Sequence, residues 1–435
     1  MTGLGTALRS RKMHFSIPLP PGKSPQSFLE EALLAEPAAF ATVQSLVYQV
    51  QGAGQALRLA LFVRYLPVAP PAYVFSAANA ETLLTALFLA FSLHLEHFIL
   101  VIDNRLPFVA DQNLNRQLED CKASIGEELQ ANQIRGIKSE GRVFFHDRLL
   151  VHHFDCQYFD SAKEVNDLSC LLAAQAHTIA LACQGQPLQM VEAVGNWFRH
   201  NITYQKTGRL ADYSAVGLYR NKGGVCQGIA AYAYQLLSYC GLAARSVFGS
   251  GLGPEGWESH SWNLVALNGH WTHIDYTFAL FSPQAPLLLS PEAFGQNHRW
   301  DASLYSPAQS DQIIAQKETI ATGPLSLFPG HSFFLFDQCR VDGPDLPLLC
   351  YREGSSFFVH LPFLLRLYGG AYNLVQDQLL IYLGTARYSL PLRQLIYRSD
   401  SWYVPILCLR QLGMGMKTKD LTIIVENECG LGLLP

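Results

Sequence analysis

The stretch that decides the fold reads GGVCQGIAAYAYQLLSYCGL and covers residues 223–242. Two glycines precede Cys226, and the apolar residues that follow recur with the period of an α-helix as far as Gly241, a typical residue just past a helix end. Cys226 is therefore expected to begin a helix, where unpaired N–H groups and the helix dipole lower the pKa of a thiol. The alternative is a small buried apolar residue, as most free cysteines are.

A second stretch predicts a β-hairpin. The runs ESHSWNLVAL and HWTHIDYTF flank Asn268-Gly269, the strongest short signal of a two-residue hairpin turn. Such a turn pairs Leu267 with His270, and this pairing sets the register of the two strands. The hairpin therefore predicts which side chains share one face of the ribbon.

This register predicts where an imidazole and a carboxylate lie. Asp275 falls opposite Trp262, so His260 and Asp275 become diagonal neighbours within side-chain reach on one face. If the Cys226 helix packs on that face, the three residues form a thiol–imidazole–carboxylate triad. In such a triad the carboxylate orients the imidazole, and the imidazole keeps the thiolate ionised and later protonates the leaving group.

Two neighbouring histidines compete with His260 for the role of base. His270 falls at the turn, and His273 falls opposite Leu264, farther from the expected position of the cysteine helix. Each residue alone is more often structural, since a single strand histidine usually packs in a core and an aspartate at a strand end usually caps a turn. The order cysteine, histidine, aspartate, with a hairpin that joins the last two, favours catalysis.

These motifs resemble the transglutaminase-like superfamily, whose α+β, papain-like core packs a cysteine-bearing helix on an antiparallel sheet. The matching residues are Gly224-Val225-Cys226-Gln227-Gly228, Ser259-His260-Ser261-Trp262-Asn263, His273-Ile274-Asp275-Tyr276-Thr277, Tyr213-Ser214-Ala215-Val216-Gly217 and the run SPEAFGQNHRWD. The resemblance covers about residues 165–305. It implies Cys226 as nucleophile, His260 as base and Asp275 as the residue that orients the base.

The resemblance also implies how the site binds its substrate. Tyr213, Gly224, Gln227 and Trp262 are expected to contact the oxyanion or the substrate, and the backbone N–H of Cys226 is the natural oxyanion donor. The implied reaction is acyl transfer or hydrolysis at a peptide or glutamine-type amide through a thioester. The alternative is a non-catalytic binding or scaffold protein that retains the fold.

Composition sets the expected partners. The chain has 435 residues, 49% of them apolar and 15% charged, which indicates large cores rather than disorder. A net charge of −4 argues against nucleic acid as a partner, so a peptide or protein substrate is expected, with a cell-wall peptide as one candidate. No CxxC pair, acidic Ca²⁺ loop or glycine-rich phosphate loop occurs in the sequence, so no metal and no cofactor are expected.

Four regions are predicted along the chain. Residues 1–23 read as a tail, and residues 24–165 as an N-terminal α+β region in which the order helix, two strands, helix occurs twice. Residues 166–320 form the expected transglutaminase-like catalytic domain, and residues 321–435 a C-terminal domain. The most apolar stretch, residues 83–95, is too short to span a membrane and predicts a buried helix.

The C-terminal region contains an internal duplication. LPLLCYREGSSFFVHLPFLLRLYGG starts at Leu346, LPLRQLIYRSDSWYVPILCLRQLGM starts at Leu390, and each predicts a β-hairpin followed by a short helix and a strand. The repeat resembles the copper-amine-oxidase N-terminal-like domain of bacterial surface proteins through Trp402-Tyr403-Val404-Pro405, Leu409-Arg410-Gln411-Leu412-Gly413, Phe357-Phe358-Val359, Arg366 and Gly369. The resemblance implies no copper site. It suggests a cell-envelope or extracellular protein, although no signal peptide is visible.

Overall fold

The structure, a computed structural model, shows an α+β fold. It describes residues 3–40, 42–53, 56–65, 73–77, 79–103, 134–144, 149–282, 287–329, 333–337, 339–343, 349–383, 386–419 and 422–427. The elements of the first part are α1 (Gly3–Arg9), β1 (His14–Pro18), α2 (Pro25–Ala35), α3 (Pro37–Phe40), β2 (Val43–Gln51), β3 (Arg58–Tyr65), β4 (Tyr73–Ala77), α4 (Ala80–Ser92), β5 (His97–Asp103), β6 (Ile134–Phe144) and β7 (Leu149–Tyr158).

The middle part of the chain contains the cysteine helix and the predicted hairpin. Its elements are α5 (Ala162–Ala182), α6 (Pro187–Asn201), β8 (Thr203–Tyr204), a 3₁₀ turn (Leu210–Tyr213), α7 (Ala215–Asn221), β9 (Gly223–Gly224), α8 (Cys226–Tyr239), β10 (Ala244–Gly253), β11 (Gly256–Leu267), β12 (His270–Ile274), α9 (Tyr276–Phe281), α10 (Pro291–Phe294), β13 (His298–Trp300) and α11 (Pro307–Ala321).

The last part is rich in short strands. Its elements are β14 (Leu325–Leu327), β15 (Phe333–Phe336), β16 (Cys339–Asp342), β17 (Cys350–Glu353), β18 (Ser356–His360), α12 (Leu361–Leu367), β19 (Gly370–Val375), β20 (Gln378–Leu383), β21 (Ala386–Pro391), a 3₁₀ turn (Leu392–Gln394), β22 (Ile396–Arg398), β23 (Ser401–Pro405), α13 (Ile406–Leu409), a 3₁₀ turn (Arg410–Leu412), β24 (Met414–Lys419) and β25 (Thr422–Asn427).

The first residues of the chain are folded. Leu4 and Leu8 of α1 and Ile17 of β1 are buried in a core that they share with α2 and β3. β1 pairs antiparallel with β3 over its whole length in a sheet of order β1-β3-β2. The predicted tail over residues 1–23 is therefore wrong. A few scattered apolar residues suffice here because later strands supply the rest of the core.

Strands from both ends of the chain form one nine-stranded sheet. Its order is β24-β25-β14-β15-β16-β4-β5-β7-β6. The two ends of the chain meet where Val341 of β16 pairs with Phe75 of β4, and both residues belong to a core that also contains Val425. Residues 24–165 and residues 321–435 are therefore not separate domains, contrary to the prediction, because they share one sheet and one core.

A buried helix connects two parallel strands in the centre of this sheet. β4 and β5 run parallel, and α4 is the crossover between them. The apolar stretch at residues 83–95 forms most of α4, and its side chains are largely buried, as predicted. In the part of the chain that the structure describes, no helix is long and apolar enough to cross a membrane.

The N-terminal repeat is visible only in part. β2 and β3 occupy the predicted strand runs of the first unit, and β6 and β7 those of the second. β4 and β5 were not predicted. The helix expected over residues 125–133 lies outside the described residues, so the repeat stays a prediction.

The two C-terminal units have the same order of elements. Each has a β-hairpin, a short helix and a second hairpin, and each helix is followed by a glycine with positive φ, Gly369 (+64°) or Gly413 (+72°). The first hairpins pair through β18 and β23 into one sheet. The second hairpins diverge, since β19 and β20 pair with β21 whereas β24 and β25 join the nine-stranded sheet. The resemblance to the copper-amine-oxidase N-terminal-like domain stays a prediction.

The cysteine helix lies against a four-stranded antiparallel sheet. That sheet has the order β12-β11-β10-β13, and α8 is buried from Gly228 to Tyr239. The helix ends where the sequence predicts, because Gly241 has a φ of +80°. This α+β arrangement places the first turn of α8 at the site described next.

Candidate active site

Cys226 is the first residue of α8, as predicted, and stays partly exposed. The N-cap residue Val225 offers no side-chain acceptor, and its N–H donates to the carbonyl of Asp212 at 2.9 Å. By contrast, Ser214 caps α7 by accepting from the N–H of Gly217 at 2.9 Å. The cysteine helix thus begins without a side-chain cap, and such a helix end attracts an anion.

The glycines before Cys226 are required by packing inside the protein. A Cβ on Gly224 would lie 2.7 Å from the carbonyl oxygen of Asp212, and one on Gly223 would lie 2.2 Å from the side-chain nitrogen of Gln205. The main chain of Gln205 also donates to the carbonyl of Gly224 at 3.0 Å. The chain itself fills the space that a side chain at Gly224 would need, and the contact of Gly224 with the oxyanion or the substrate stays a prediction.

The hairpin of β11 and β12 has the predicted register up to Ile274. Leu267 pairs with His270, and the two turn residues Asn268 and Gly269 have φ values of +52° and +79°. Positive φ at both positions is the conformation that Asn-Gly favours in a tight hairpin. β12 ends after Ile274, so the pairing does not continue to the next residue.

Asp275 leaves the strand and caps α9. Its Oδ1 accepts from the N–H groups of Thr277 at 2.8 Å and Phe278 at 3.2 Å. Its Oδ2 lies 2.7 Å from Nε2 of His260. The predicted pairing of Asp275 with Trp262 is therefore wrong, but the contact that it was meant to produce, between His260 and Asp275, is present.

The helix α8 packs on the opposite face of β11 from the one predicted. Asn263 donates through Nδ2 to a carbonyl of α8 at 3.0 Å, and Val265 joins the core that contains α8. Trp262 lies in a separate apolar cluster on the other face, the face that His260 shares. Cys226 is at the tip of the helix, where side chains lean beyond the helix end, and its thiol is close enough to His260 for the imidazole to lower the pKa of the thiol.

Cys226 and His260 shift each other's pKa. Burial opposes ionisation of Cys226, but the hydrogen bond and the charge of His260 outweigh it and lower the pKa of the thiol. Burial also opposes charging of His260, but the hydrogen bonds with Asp275 and Cys226 raise the pKa of the imidazole to about 10. A lowered thiol pKa beside a raised imidazole pKa favours the thiolate–imidazolium pair, the state in which a cysteine is nucleophilic.

Asp275 binds a second imidazole, and no sequence pattern pointed to it. His298 of β13 places Nε2 2.9 Å from Oδ2 of Asp275, and its side chain is 1% exposed. His298 lies in the run SPEAFGQNHRWD that matches the resemblance, but no spacing links it to the triad. Burial opposes ionisation of Asp275, and the hydrogen bonds from His260 and His298 outweigh it, so the pKa of the carboxyl is lowered.

One side-chain group among the described residues could be considered for a metal ion. The ligand atoms of His260, Asp275 and His298 all lie within 4.8 Å of one another. However, Oδ2 lies 2.7 and 2.9 Å from the two Nε2 atoms. Two ligands of a tetrahedral zinc ion are about 3.3 Å apart. The shorter distances are those of hydrogen bonds, so these residues are arranged for proton sharing.

Trp262 and His273 lie on the same face of the hairpin as His260. Trp262 is 1% exposed, donates through Nε1 to Nδ1 of His273 at 2.9 Å, and stacks on the imidazole of His260. The predicted contact of Trp262 with substrate is therefore wrong. Burial and the nearby charge of His298 lower the pKa of His273 to about 4. Its Nδ1 is engaged with Trp262, whereas His260 contacts Asp275, so His260 remains the candidate base.

Tyr204 is close enough to Cys226, Glu258 and Tyr213 to be affected by their charges. Tyr213 ends the 3₁₀ turn, Gln227 is the second residue of α8, and both are half-buried. Burial raises the pKa of the Tyr204 phenol, and the charges of Cys226, Glu258 and Tyr213 add to the increase. Tyr204 is therefore within electrostatic reach of these three groups, although no sequence pattern pointed to Tyr204 or Glu258.

The imidazole of His260 lies over a glycine of the neighbouring strand. A Cβ on Gly251 would lie 3.0 Å from Cγ and from Cδ2 of His260. Gly249 pairs with His260, and its Cβ would lie 2.1 Å from the carbonyl oxygen of Arg299. Both positions in β10 must therefore be glycine. Gly251 leaves room for the imidazole of His260, and Gly249 lets β13 pair with β10.

A thiol at a helix tip, facing an imidazole and a carboxylate carried by an antiparallel sheet, defines the papain-like class of cysteine enzymes. Residues 177–276 match the family model of the Transglutaminase-like superfamily, and this range contains Cys226, His260 and Asp275. The chain thus contains a transglutaminase-like core, and the recognition made from the sequence is confirmed for this range.

Three solved structures show similarity to parts of the chain. A TGase has 16% identity and a TM-score of 0.25, over 45% of this chain and 55% of its own. A proposed cysteine protease from Cytophaga hutchinsonii has 14% identity and a TM-score of 0.23, over 40% and 73%. A proposed protease from Parabacteroides distasonis has 8% identity and a TM-score of 0.19, over 62% and 60%.

The chain spans only part of the first of these structures, 55% of its length. A comparison with curated proteins gave no match.

Proposed function

We propose that the protein is a thiol-dependent enzyme that transfers the acyl group of a peptide or glutamine-type amide. The observation that supports this best is the position of His260 between the thiol of Cys226 and the carboxylate of Asp275. This position gives the base one partner that it can ionise and one partner that holds its orientation.

The first half-reaction forms a thioester. The thiolate of Cys226 attacks the amide carbonyl carbon, and the carbonyl oxygen becomes an oxyanion. As the C–N bond breaks, the imidazolium of His260 donates its proton to the leaving nitrogen, which departs as an amine or as ammonia. His260 is then neutral, and the acyl group is bound to Sγ of Cys226.

The second half-reaction releases the acyl group. Neutral His260 removes a proton from water or from a primary amine as that nucleophile attacks the carbonyl carbon of the thioester. The C–S bond then breaks, and the thiolate of Cys226 leaves beside the imidazolium of His260, which restores the starting pair. Water gives hydrolysis, and an amine gives an isopeptide bond. Hydrolysis is the first expectation, and the outcome depends on how well the site excludes water relative to an amine.

The oxyanion is stabilised at the first turn of α8. The N–H of Cys226 lies at a helix end whose N-cap, Val225, offers no acceptor side chain. Such an end presents N–H groups and the positive end of the helix dipole. We assign to Tyr213 a phenol O–H contact with the oxyanion, because it follows Asp212, whose carbonyl accepts from Val225 at 2.9 Å. Gln227, next to Cys226, is assigned a contact with the substrate.

A library of glutamine peptides tests this proposal. The protein is incubated with the library, with and without a primary amine, and mass spectrometry reads ammonia loss, amine addition and backbone cleavage. The matched control is Cys226→Ala. The proposal is supported if any of the three mass changes occurs with the unaltered protein and is absent with this variant. A protein with none of them, and with a thiol of ordinary reactivity, would be a binding or scaffold protein that retains the fold.

A further inference from the structure

We propose that His298 is a positioning residue that holds the carboxylate of Asp275 in the orientation in which Oδ2 accepts from His260. This inference rests on the proposed function, because it assigns a role within the same site. His298 touches neither the thiol nor the substrate in this proposal. It acts on the base through Asp275.

The two oxygens of Asp275 have separate partners. Oδ1 accepts from two N–H groups at the start of α9, and Oδ2 is shared by Nε2 of His260 at 2.7 Å and Nε2 of His298 at 2.9 Å. A carboxylate held at Oδ1 alone can still turn about its Cβ–Cγ bond, and this rotation moves Oδ2 relative to the base. The second imidazole fixes that rotation.

The imidazole of His298 is itself fixed by aromatic rings. It stacks on Phe294 with ring centroids 3.8 Å apart, and it contacts Phe278 at 4.7 Å and Trp262 at 4.9 Å. Its Nδ1 lies 2.6 Å from the side-chain amide of Asn297. Both ring nitrogens and both ring faces are thus engaged, which is the support that a positioning side chain needs.

The segment that carries His298 is attached to the strand on which the base lies. His298 pairs with Gly251, the residue beneath the imidazole of His260, and the N–H of Leu252 donates to the carbonyl of Asn297 at 2.8 Å. β10 and β13 therefore position two parts of the site. β10 contacts the imidazole of His260 through Gly251, and β13 orients the carboxylate of Asp275 through His298. A packing role alone would not require Nε2 to point at Oδ2.

The test measures how fast iodoacetamide alkylates Cys226 between pH 4 and pH 10, with peptide mapping to separate this cysteine from the others. The variants are His298→Phe, which keeps a ring but has no donor, and His298→Gln, whose amide N–H can reach Oδ2. The matched control is His273→Phe, which removes a neighbouring buried imidazole that binds Trp262 and not Asp275.

Several other titratable groups face this cluster, and each is the same in the unaltered protein and in the two His298 variants. They are Tyr204 on β8, Tyr213 on the 3₁₀ turn and Glu258 on β11. His273 on β12 is uncharged above pH about 4. A difference between the His298 variants therefore reports the donor to Asp275 and no other titration.

His298→Phe removes a charge-assisted hydrogen bond to the carboxylate of Asp275. We therefore expect the acid limb of the alkylation profile to move up by about one pH unit, so that the alkylation rate at pH values below the limb falls about ten-fold. His298→Gln is expected to restore most of the loss, and His273→Phe to leave the limb unchanged. An unchanged limb in His298→Phe, or an equal shift in the Phe and Gln variants, overturns the proposal.

Thermal melting separates positioning from stability. A purely structural role would lower the melting temperature of both His298 variants without moving the limb, and that result also overturns the proposal. If His298→Phe does not fold, His298→Asn replaces it, because its amide is too short to reach Oδ2. If the unaltered protein itself shows the profile of an ordinary thiol, the proposed function fails, and this outcome is distinct from a failure of His298 alone.

Discussion

Replacing Asp275 by Asn changes one atom and reverses the polarity of the site. Oδ1 accepts from the N–H groups of Thr277 and Phe278, so an Asn side chain must keep its oxygen there. Its NH₂ group must then face the two imidazole nitrogens that now donate to Oδ2. Nε2 of His260 becomes an acceptor, and its remaining proton moves to Nδ1, the nitrogen on the side of the thiol.

The size of the effect follows from the bond that is lost. A hydrogen bond between His260 and the charged carboxylate contributes about 1.5–3 kcal/mol, which equals about one to two pH units. The thiol pKa, now lowered by His260, is expected to rise by that amount in Asp275→Asn. Turnover is expected to fall further, by about 10³-fold or more, because the imidazole also has the wrong tautomer.

Two measurements check this prediction. The pH profile of Cys226 alkylation gives the shift of the acid limb, and the glutamine-peptide assay gives the loss of turnover. Circular dichroism serves as the control, since the N-cap contacts of α9 are retained in the variant. An unaltered limb together with an unaltered rate would refute the assignment of Asp275 as the residue that orients the base.

Four further variants test the rest of the site. Cys226→Ala should abolish turnover with little change in melting temperature, and residual turnover above about 1% would refute the nucleophile. His260→Ala should move the acid limb of alkylation up toward that of an ordinary thiol, whereas His273→Ala should not; equal shifts would refute the choice of base. Gly251→Ala places a Cβ 3.0 Å from Cγ of His260, so it should slow alkylation of Cys226 about ten-fold. An alkylation rate equal to that of the unaltered protein would show that the position of the imidazole does not depend on Gly251.

The parts of the site that could be predicted depend on local chain geometry. Asn268-Gly269 requires a tight turn, and this turn sets the register as far as Ile274. The helix from Cys226 to Gly241 follows from its apolar period and its C-terminal glycine. Both signals act over a few residues, which is the range in which sequence patterns are informative.

The parts that were missed depend on contacts between distant segments. His298 reaches Asp275 only because β13 pairs with β10, and three paired residues leave no periodic pattern. The face of β11 that α8 covers depends on the core around Val265, which alternation alone does not assign to a partner. The prediction for Trp262 failed for the same reason, since an aromatic residue beside a base can support it or touch the substrate.

The nine-stranded sheet was beyond local patterns as well. β4 and β16 are neighbours in the sheet although the whole transglutaminase-like core lies between them in the chain. The apolar runs before and after this core were predicted to form two independent regions. A short window of sequence does not show which strands become neighbours in a sheet.

The shared sheet affects how the protein is made. At about 5–20 residues per second, a ribosome that has finished Ala77 needs roughly 13–52 s to reach Cys339. During this interval the edge of β4 that later pairs with β16 lacks its partner, while the transglutaminase-like core is already complete and free to form. β16 therefore completes the sheet only late in translation. In a nascent chain halted after the transglutaminase-like core, the edge of β4 would be unpaired, and an unpaired edge favours self-association.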